Sequence, residues 1–335
     1  MSWYASLGLR RPIVQAALGG GISTADLAIA VSRAGGLGTI GIMPEREFAA
    51  EIARSREALG ETPFAANLLM PLLRRGHVRA CVDQRVPVVS VFYGHDPAVV
   101  RELKAAGSYV VYQVGTADEA QAVVNDGADA LIVQGVEAGG HVRSTERLDV
   151  LLPEVLSRLR PAHPDLPVLA AGGIYDAASA RRALELGADG VAVGTRFLLT
   201  PESNAHDAYK QQLLDARDTL YTDLFGFGWQ APHRVAPNAA TRRWCRGDGR
   251  GPRWLARLNT LSEAPSRLLP LSVGSALVRA EHPRLPFFSP FPLSRGMAPR
   301  TEVAPLYAGE GVTRIKDIRP AADIVDELAA AFAAP

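Results

Sequence analysis

The stretch GADALIVQGVEAGGHVR, residues 127–143, joins a turn glycine, a short apolar run and a group of polar residues. Gly127 can provide the left-handed C-cap of a preceding helix, and the apolar run 130–134 is typical of a parallel strand buried on both faces. Gln134, Glu137 and His141 follow that run within a few residues. Because α/β enzymes place their sites just past such strands, the stretch predicts both a structural unit and a candidate site.

The same pattern of a glycine before a short apolar run recurs along the first two thirds of the chain, at Gly35, Gly107 and Gly187. Helix starts are indicated by capping patterns at residues 23–26 and 116–119 and by an Asp-Pro pair at residues 96–97. Strands are predicted at residues 13–17, 37–42, 64–69, 87–93, 109–114, 130–134, 168–171 and 191–194. Eight strands that alternate with helices favour an α/β fold of the (β/α)8 TIM barrel type over a doubly wound sheet, although alternation alone does not separate the two.

The doubly wound alternative can be tested on its dinucleotide-binding motif. Residues 19–24 read GGGIST, which has the first two glycines of G-x-G-x-x-G but a threonine at the last position. The next strand ends in GIM, residues 41–43, without the acid that would bind a ribose. The motif therefore argues against a Rossmann fold.

Regular alternation ends near residue 219. Residues 219–304 mix aromatic residues with Arg, Gly and Pro and are too apolar for a flexible linker. We interpret them as a partly helical insertion that covers the barrel mouth, between barrel segments 1–218 and 305–335. The segment 321–332 has apolar residues at helical spacing and is predicted to be the closing barrel helix.

The overall composition points to a cytoplasmic enzyme of small molecules. A net charge of +1 with 47% hydrophobic residues provides no field that would attract nucleic acid or an acidic membrane. No uncharged run approaches the ~18 residues of a membrane helix. Cys81 and Cys245 are far apart, so two free thiols are expected, and the seven histidines show no metal-ligand spacing. We therefore expect no metal, no nucleic-acid partner and no membrane association.

Two glycine-rich turns follow the seventh and eighth predicted strands. They contain Gly172 and Gly173 in one turn and Gly194 and Thr195 in the other. In a barrel, these two loops present backbone N–H groups to a phosphate, and glycine lets the backbone approach it closely. Either turn alone could be a simple strand-to-helix turn, but the pair predicts a phosphate site for a phosphorylated substrate or a flavin mononucleotide.

His141 is the candidate catalytic residue. It follows the sixth predicted strand on the catalytic face of a barrel, and the adjacent Gly139 and Gly140 would bring a flat ligand close to it. Imidazole can remove or donate a proton at neutral pH. The amides of Gln134 and Asn67, at the ends of two strands, suit the edge of a flavin ring, and the alternative for both is capping of loop backbone.

Glu137 is interpreted as a support of this loop rather than as a base, because its carboxylate would be repelled by a bound phosphate or a reduced flavin. A structural histidine is the alternative interpretation of His141.

The whole pattern resembles the flavin-dependent nitronate monooxygenases, formerly called 2-nitropropane dioxygenases, and their relatives the FMN-dependent enoyl-ACP reductases and NADH:quinone reductases. The matching segments span most of the chain. They are PIVQA at 12–16, AGGLG at 34–38, NL at 67–68, QGVEAGGH at 134–141, AGGI at 171–174, VGTRF at 193–197 and YAGEGV at 307–312.

The resemblance implies an FMN-binding barrel in which His141 faces the substrate across the flavin. It implies flavin contacts from Asn67, Gln134, Gly139, Gly140, Gly172, Gly173, Gly194 and Thr195, and from the pair that follows the first strand. That pair is proline-methionine in the family but Ala17-Leu18 here. The fixed φ of proline and the polarisable sulfur of methionine are therefore missing beneath the flavin.

The leading expectation from this resemblance is FMN-dependent oxidation of an alkyl nitronate by O2 to a carbonyl compound and nitrite. One alternative is an NAD(P)H-dependent FMN enzyme that reduces a quinone or an enoyl thioester. Another is a non-redox phosphate-binding barrel, such as an isomerase or a binding protein. The expected partner is a small-molecule substrate, and the oligomeric state is left open, with a homodimer among the alternatives.

Overall fold

The computed structural model describes residues 2–266, 269 and 271–333. Its main feature is a parallel eight-stranded sheet, and the eight strands agree in number and order with those predicted. They are β1 (Ile13–Gln15), β2 (Thr39–Ile40), β3 (Ala65–Leu69), β4 (Val88–Phe92), β5 (Tyr109–Val114), β6 (Ala130–Gln134), β8 (Val168–Ala171) and β9 (Gly190–Val193). Their order in the sheet is β1-β9-β8-β6-β5-β4-β3-β2.

The two outer strands of this order meet and close the sheet. Val14 and Leu37 form a parallel bridge, and the Leu37 N–H donates to the Ile13 carbonyl at 2.8 Å. The Gln15 N–H in turn donates to the Leu37 carbonyl at 2.9 Å. The predicted (β/α)8 barrel is thereby confirmed, with a second strand that is shorter than the predicted 37–42.

Helices follow the strands on the outside of the barrel. Those of the barrel segments are α2 (Ala25–Arg33), α3 (Glu45–Leu59), α4 (Arg75–Asp83), α5 (Pro97–Ala105), α6 (Ala117–Asn125), α7 (Leu148–Leu159), α8 (Ala177–Glu185), α9 (Thr195–Leu198), α10 (Asp207–Leu214) and α14 (Ala321–Ala329). Short 3-10 turns lie at Met70–Leu72, Glu310–Arg314 and Ala330–Phe332. Helix α14 packs against α2 and α8 with Ile324, Val325 and Leu328 buried, which confirms the predicted closing helix.

The predicted helix caps are confirmed at two of three positions. The side chains of Asp96 and Thr116 accept hydrogen bonds from the first turns of α5 and α6. The capping box predicted at residues 23–26 was wrong, because the Ser23 hydroxyl accepts from the Leu18 N–H at 3.0 Å and Thr24, the residue before the helix, makes no cap hydrogen bond. Its place is taken by Glu51 of the neighbouring helix α3, whose carboxylate accepts from the Ala25 N–H at 2.6 Å. A side chain distant in sequence thus satisfies an orphan donor for which the local pattern predicts a partner within residues 23–26.

Apolar residues fill both the space between strands and helices and the interior of the barrel. The short first helix α1 (Trp3–Ser6) lies at the N-terminal end of the barrel, where the Trp3 indole N–H donates to the Asp189 carbonyl at 3.0 Å. Trp3, Tyr4 and Leu7 pack against the interior cluster. The N-terminal end is therefore plugged by apolar side chains, and the open end is the one where the strands end.

Beyond the eighth barrel strand, residues of the predicted insertion form a small sheet and several helices. Strands β10 (Leu220–Thr222) and β11 (His233–Val235) pair antiparallel, and β11 also pairs with β7 (Gly140–His141), a short strand that the sequence did not predict. Helices α11 (Ala239–Trp244), α12 (Arg253–Ser266) and α13 (Gly274–Ala280) follow, with a 3-10 turn at Leu271–Val273. The domain boundaries at 219 and 304 stay a prediction.

Candidate active site

A cavity of about 540 Å³ lies at the C-terminal ends of the barrel strands. All of the predicted cofactor residues line it together with His141, so residues spread from the first strand to the eighth meet at one place. Their roles in binding or catalysis stay predictions. The predicted residues on its wall are Ala17, Leu18, Asn67, Gln134, Gly139, Gly140, Gly172, Gly173, Gly194 and Thr195.

The two glycine turns lie side by side at one end of this cavity. Gly173 has a φ of +68°, a conformation that L residues rarely adopt. Among the described residues, none accepts a hydrogen bond from the backbone N–H groups of Gly173 or Thr195. The Thr195 hydroxyl accepts from the Gly309 N–H at 3.0 Å, which ties the second turn to the segment after the insertion. The free N–H groups leave this end of the cavity suited to an anion.

Glycine is favoured at positions 139 and 140 for two different structural reasons. A Cβ at Gly139 would lie 2.4 Å from the Gly309 nitrogen, so glycine is required there by the close approach of two backbones. A Cβ at Gly140 would meet nothing within 4 Å, and Gly140 has a φ of +77°. Both glycines line the cavity, as expected of residues that bring a flat ligand close, but only at Gly140 would an added Cβ meet open space.

The side-chain amides of Gln134 and Asn67, at the ends of two strands, form hydrogen bonds with other protein groups. The Gln134 amide N–H donates to the His141 carbonyl at 3.1 Å, and its oxygen accepts from the Arg143 N–H at 3.4 Å. The Asn67 amide donates to the Ser90 carbonyl at 3.1 Å. Gln134 therefore supports the loop that carries His141, which was the alternative role for an amide at this position. Both amides also border the cavity.

Ala17 and Leu18 follow β1 and form the wall next to the second glycine turn. The Leu18 side chain lies 3.8 Å from the position that a Cβ on Gly194 would take. The Leu18 carbonyl accepts from the Ser23 N–H at 3.0 Å, so the chain turns sharply after this pair. Leu18 thus provides an aliphatic surface where the resemblance implies methionine.

His141 lies among aromatic side chains of the loop after β4 and of the later segments. Its ring is stacked on the Trp229 indole, with ring centroids 3.9 Å apart and planes 19° apart. The Tyr307 ring lies 5.3 Å away, and the Tyr93 ring lies 6.3 Å away. His141 Nε2 is buried and has no hydrogen-bond partner among the described residues.

The electrostatic environment keeps this imidazole uncharged. Burial lowers the pKa of His141 well below its ordinary value, and the neighbouring His233 lowers it further. A neutral imidazole can accept a proton or donate a single hydrogen bond, whereas it provides no positive charge for an anion. His141 therefore has the protonation state of a base across the neutral pH range.

His233, the neighbour of His141 across the small sheet, is a structural histidine. Its Nδ1 lies 2.8 Å from the Ala231 carbonyl, and its Nε2 accepts from the Phe225 N–H at 3.3 Å. Both ring nitrogens thus have partners that fit a neutral ring with its proton on Nδ1. Burial lowers its pKa to about 4.

Glu137 supports the loop that carries His141, as predicted. Its two carboxylate oxygens accept from the Leu148 N–H at 3.1 Å each, at the start of α7. The Arg147 guanidinium lies 3.2 Å from the same carboxylate and also contacts Glu310 at 3.4 Å. The buried Arg234 donates to the Val136 carbonyl at 3.0 Å. These interactions hold in place the loop that carries His141.

Sequence reasoning missed several residues on the cavity wall, namely Gln113, Trp229 and Tyr307. Gln113 lies near the end of β5, and the strand-end rule that found Gln134 would have found it as well. Tyr307 belongs to a matching segment that was not given a role. Trp229 had no local signal, because an aromatic residue in an irregular segment can lie anywhere on the barrel mouth.

Within residues 2–266, 269 and 271–333, no three His, Cys, Asp or Glu side chains are placed to hold a metal ion. The same residues include no helix long and apolar enough to cross a membrane. Cys81 and Cys245 are both free thiols.

The relatives of this chain are named for two different reactions. One relative is a (3aS,4S,5R,7aS)-5-hydroxy-7a-methyl-1-oxo-octahydro-1H-indene-4-carboxyl-CoA dehydrogenase of Mycobacterium tuberculosis. The two chains are 38% identical over 235 residues, and this match covers 68% of this chain and 64% of that protein. This chain is also 37% identical over 255 residues to a nitronate monooxygenase of Pseudomonas aeruginosa, which covers 63% of this chain and 72% of that protein.

Two solved structures are similar over nearly the full length. FabK from Thermotoga maritima has a TM-score of 0.77 and 27% identity, with 99% of this chain and 96% of that chain covered. Nitroalkane oxidase from Streptomyces ansochromogenes has a TM-score of 0.77 and 29% identity, with coverages of 98% and 99%.

The profile of the nitronate monooxygenase family matches residues 5–80 and 74–331, which together include every barrel strand and every residue of the cavity wall. The oxidoreductase interpretation is thereby favoured over a non-redox phosphate-binding barrel. On this match and on the fold, the chain belongs to the nitronate monooxygenase family and is a flavin-dependent oxidoreductase.

Proposed function

We propose that the chain binds FMN in the 540 Å³ cavity and oxidises alkyl nitronates with O2. In the balanced overall reaction, two nitronate anions and one O2 give two molecules of carbonyl compound and two nitrite ions. The observation that carries the proposal is the buried, unpartnered Nε2 of His141, a residue that lines this cavity. A buried polar atom without a protein partner is rare and points to a ligand group.

The residues of the cavity fit FMN on three counts. Its volume falls within the ~300–1,000 Å³ of small-molecule and cofactor sites. The free N–H groups of Gly173 and Thr195 suit a phosphate at one end. Gly140 leaves open space where a side chain would otherwise project toward a flat ring. Bound FMN would supply the electron-transfer chemistry between nitronate and O2.

The protein's own part is to bind and orient the nitronate and to control one proton. His141 can donate a hydrogen bond from Nε2 to a nitro oxygen when that nitrogen is protonated, or accept the α-proton of a neutral nitroalkane when it is not. Trp229 and Tyr307 exclude water from one side of the imidazole. Gln134 and Glu137 hold the loop so that the imidazole keeps this position.

Anaerobic mixing of the purified yellow protein with ethylnitronate tests the proposal. We expect the flavin absorbance to bleach with nitronate alone and to return on admission of O2 with release of nitrite. FMN should be the flavin released by denaturation, as judged by chromatography. Rapid bleaching by NADH without nitronate would instead identify a pyridine-nucleotide-dependent reductase.

The second candidate is that NAD(P)H-dependent reductase acting on a quinone or an enoyl thioester. It is supported by the 38% identity to a protein whose name specifies a carboxyl-CoA substrate. Both reactions would use the same cavity. A carbonyl product and nitrite distinguish the first, whereas consumption of NAD(P)H with an enoyl thioester or quinone distinguishes the second.

A further inference from the structure

A second cavity of about 310 Å³ adjoins the first on the side of the insertion. It lies between the 3-10 turn after β3 and the insertion, and it is separate from the 540 Å³ cavity that the proposed function uses. The two cavities are neighbours, since they share five wall residues. These are Leu72, Trp229, Leu271, Pro290 and Phe291.

Most of the side chains on the wall of the second cavity are apolar. Met70, Leu73, Phe227 and Leu277 contribute to it in addition to the shared residues. The guanidinium of Arg74, the one charged side chain among its described wall residues, donates to the Leu269 carbonyl at 2.7 Å. A polar substrate group would find few hydrogen-bond partners here, whereas each buried methylene strengthens binding by about fourfold.

Trp229 relates this second cavity to the reacting group. One side of its indole stacks on His141, and the residue lines both cavities. The second cavity therefore lies next to the space beside His141, on the other side of this indole. Small nitronates such as ethylnitronate would leave that volume unfilled.

We propose that the second cavity binds the hydrocarbon portion of the substrate, so that the preferred substrate has an apolar chain or ring several carbons long. This inference rests on the proposed function for the reacting end only. The hydrocarbon subsite itself is compatible with either a nitronate or a thioester as the reactive group.

The direct test is calorimetric titration of the flavin-loaded protein with unreactive 1-alkanols from butanol to decanol. We expect the dissociation constant to fall by about fourfold per added methylene until the cavity is filled. A dissociation constant independent of chain length would overturn the proposal, whatever the reaction turns out to be.

Two variants locate the effect. Leu277→Trp should fill the second cavity and abolish the gain from long chains while leaving butanol binding unchanged, and Phe227→Ala should shift the optimum to longer chains. Leu261→Trp, at a 75% exposed leucine of α12, is the matched control. Wild-type affinity of Leu277→Trp for decanol would contradict the assignment, and the Phe227→Ala result decides independently if Leu277→Trp does not fold.

Steady-state kinetics with alkyl nitronates separates this inference from the proposed function. If kcat/KM rises with chain length in wild type but not in Leu277→Trp, the hydrocarbon subsite and the nitronate reaction are both supported. If the alkanols bind with length dependence but no nitronate is oxidised, the subsite stands and the reaction assignment fails. If nitronates are oxidised equally well at all lengths and alkanol binding shows no trend, the subsite fails and the reaction stands.

Discussion

The imidazole of His141 is stacked on the indole of Trp229 at a centroid distance of 3.9 Å, although the two residues belong to different parts of the chain. His141 lies in the short strand β7, on the segment after β6, and Trp229 lies in the insertion, between β10 and β11. The stack removes one face of the imidazole from water. It therefore makes the protonation state of His141 dependent on the packing of the insertion over the barrel.

Trp229→Leu should open the imidazole face to water. Because burial is the main cause that lowers the pKa of His141, we expect that pKa to rise toward its ordinary value. The acidic limb of the pH profile of kcat/KM for a neutral nitroalkane should move to higher pH. Trp254→Leu, at a tryptophan that is 52% exposed, is the control and should leave the profile unchanged. An identical profile in Trp229→Leu would show that the indole does not set the protonation state.

His141→Ala should retain the yellow flavin and lose turnover by on the order of 10²-fold or more, because a general acid or base contributes that much. The measurements are the flavin absorbance spectrum and nitrite release from nitroethane. His95→Ala, at an exposed histidine, should retain wild-type turnover. Turnover of His141→Ala within a few-fold of wild type would identify His141 as a structural residue.

Gly139→Ala and Gly140→Ala should fail in different ways. The methyl group at 139 would meet the Gly309 nitrogen at 2.4 Å, so we expect a loss of about 1–3 kcal/mol in the free energy of unfolding. At 140 the methyl group meets open space, but the positive φ costs about 1–2 kcal/mol and the methyl projects toward the cavity.

Urea unfolding and flavin titration separate the two effects. Gly140→Ala should weaken flavin binding by more than its loss of stability explains, whereas Gly139→Ala should be mainly a stability variant. Equal flavin affinity in Gly140→Ala and wild type would show that this glycine does not border the flavin.

Stability should fall as the pH drops below about 6.5. The pKa of His233 is lowered to about 4 in the folded chain, so the unfolded chain takes up a proton that the folded chain does not, and unfolding is favoured as the pH falls from about 6.5 to 4. Between about pH 7.5 and 5 we expect a loss of about 2 kcal/mol from this residue, with a further loss from His141 in the same direction.

The check is urea unfolding at the two pH values in wild type and in His233→Asn, whose amide can replace the donor to the Ala231 carbonyl. The variant should be less stable at neutral pH but show a smaller drop on acidification. A drop equal to that of wild type would contradict the role of His233 in the pH dependence.

The barrel was predictable because its signals are local. A strand buried on both faces is a short apolar run, and a glycine such as Gly127, with a φ of +98°, ends the helix before it. The strand-end rule then placed Gln134 and the two glycine turns at one end of the barrel, where a single cavity includes them. Glu137 was correctly predicted as a loop support from its charge alone.

Long-range packing accounts for what the sequence did not predict. The cap at α2 comes from Glu51 rather than from residues 23–26, and Gly139 is explained by the approach of Gly309. Neither partner can be inferred from neighbouring residues, because the contacts join segments that only the closed barrel brings together. The path of the insertion, and hence the place of Trp229, has the same origin.

The amino-acid sequence was sufficient to predict the barrel, its open end and His141 as a residue of the cavity wall. These predictions depend on hydrophobic period, turn residues and residue type, which are properties of short segments of the sequence. The protonation state of His141 and the second, apolar cavity arise from the folded chain. The protonation state and the second cavity both depend on how much water the insertion excludes at the barrel mouth. That exclusion results from contacts between segments distant in sequence, so no single segment predicts it.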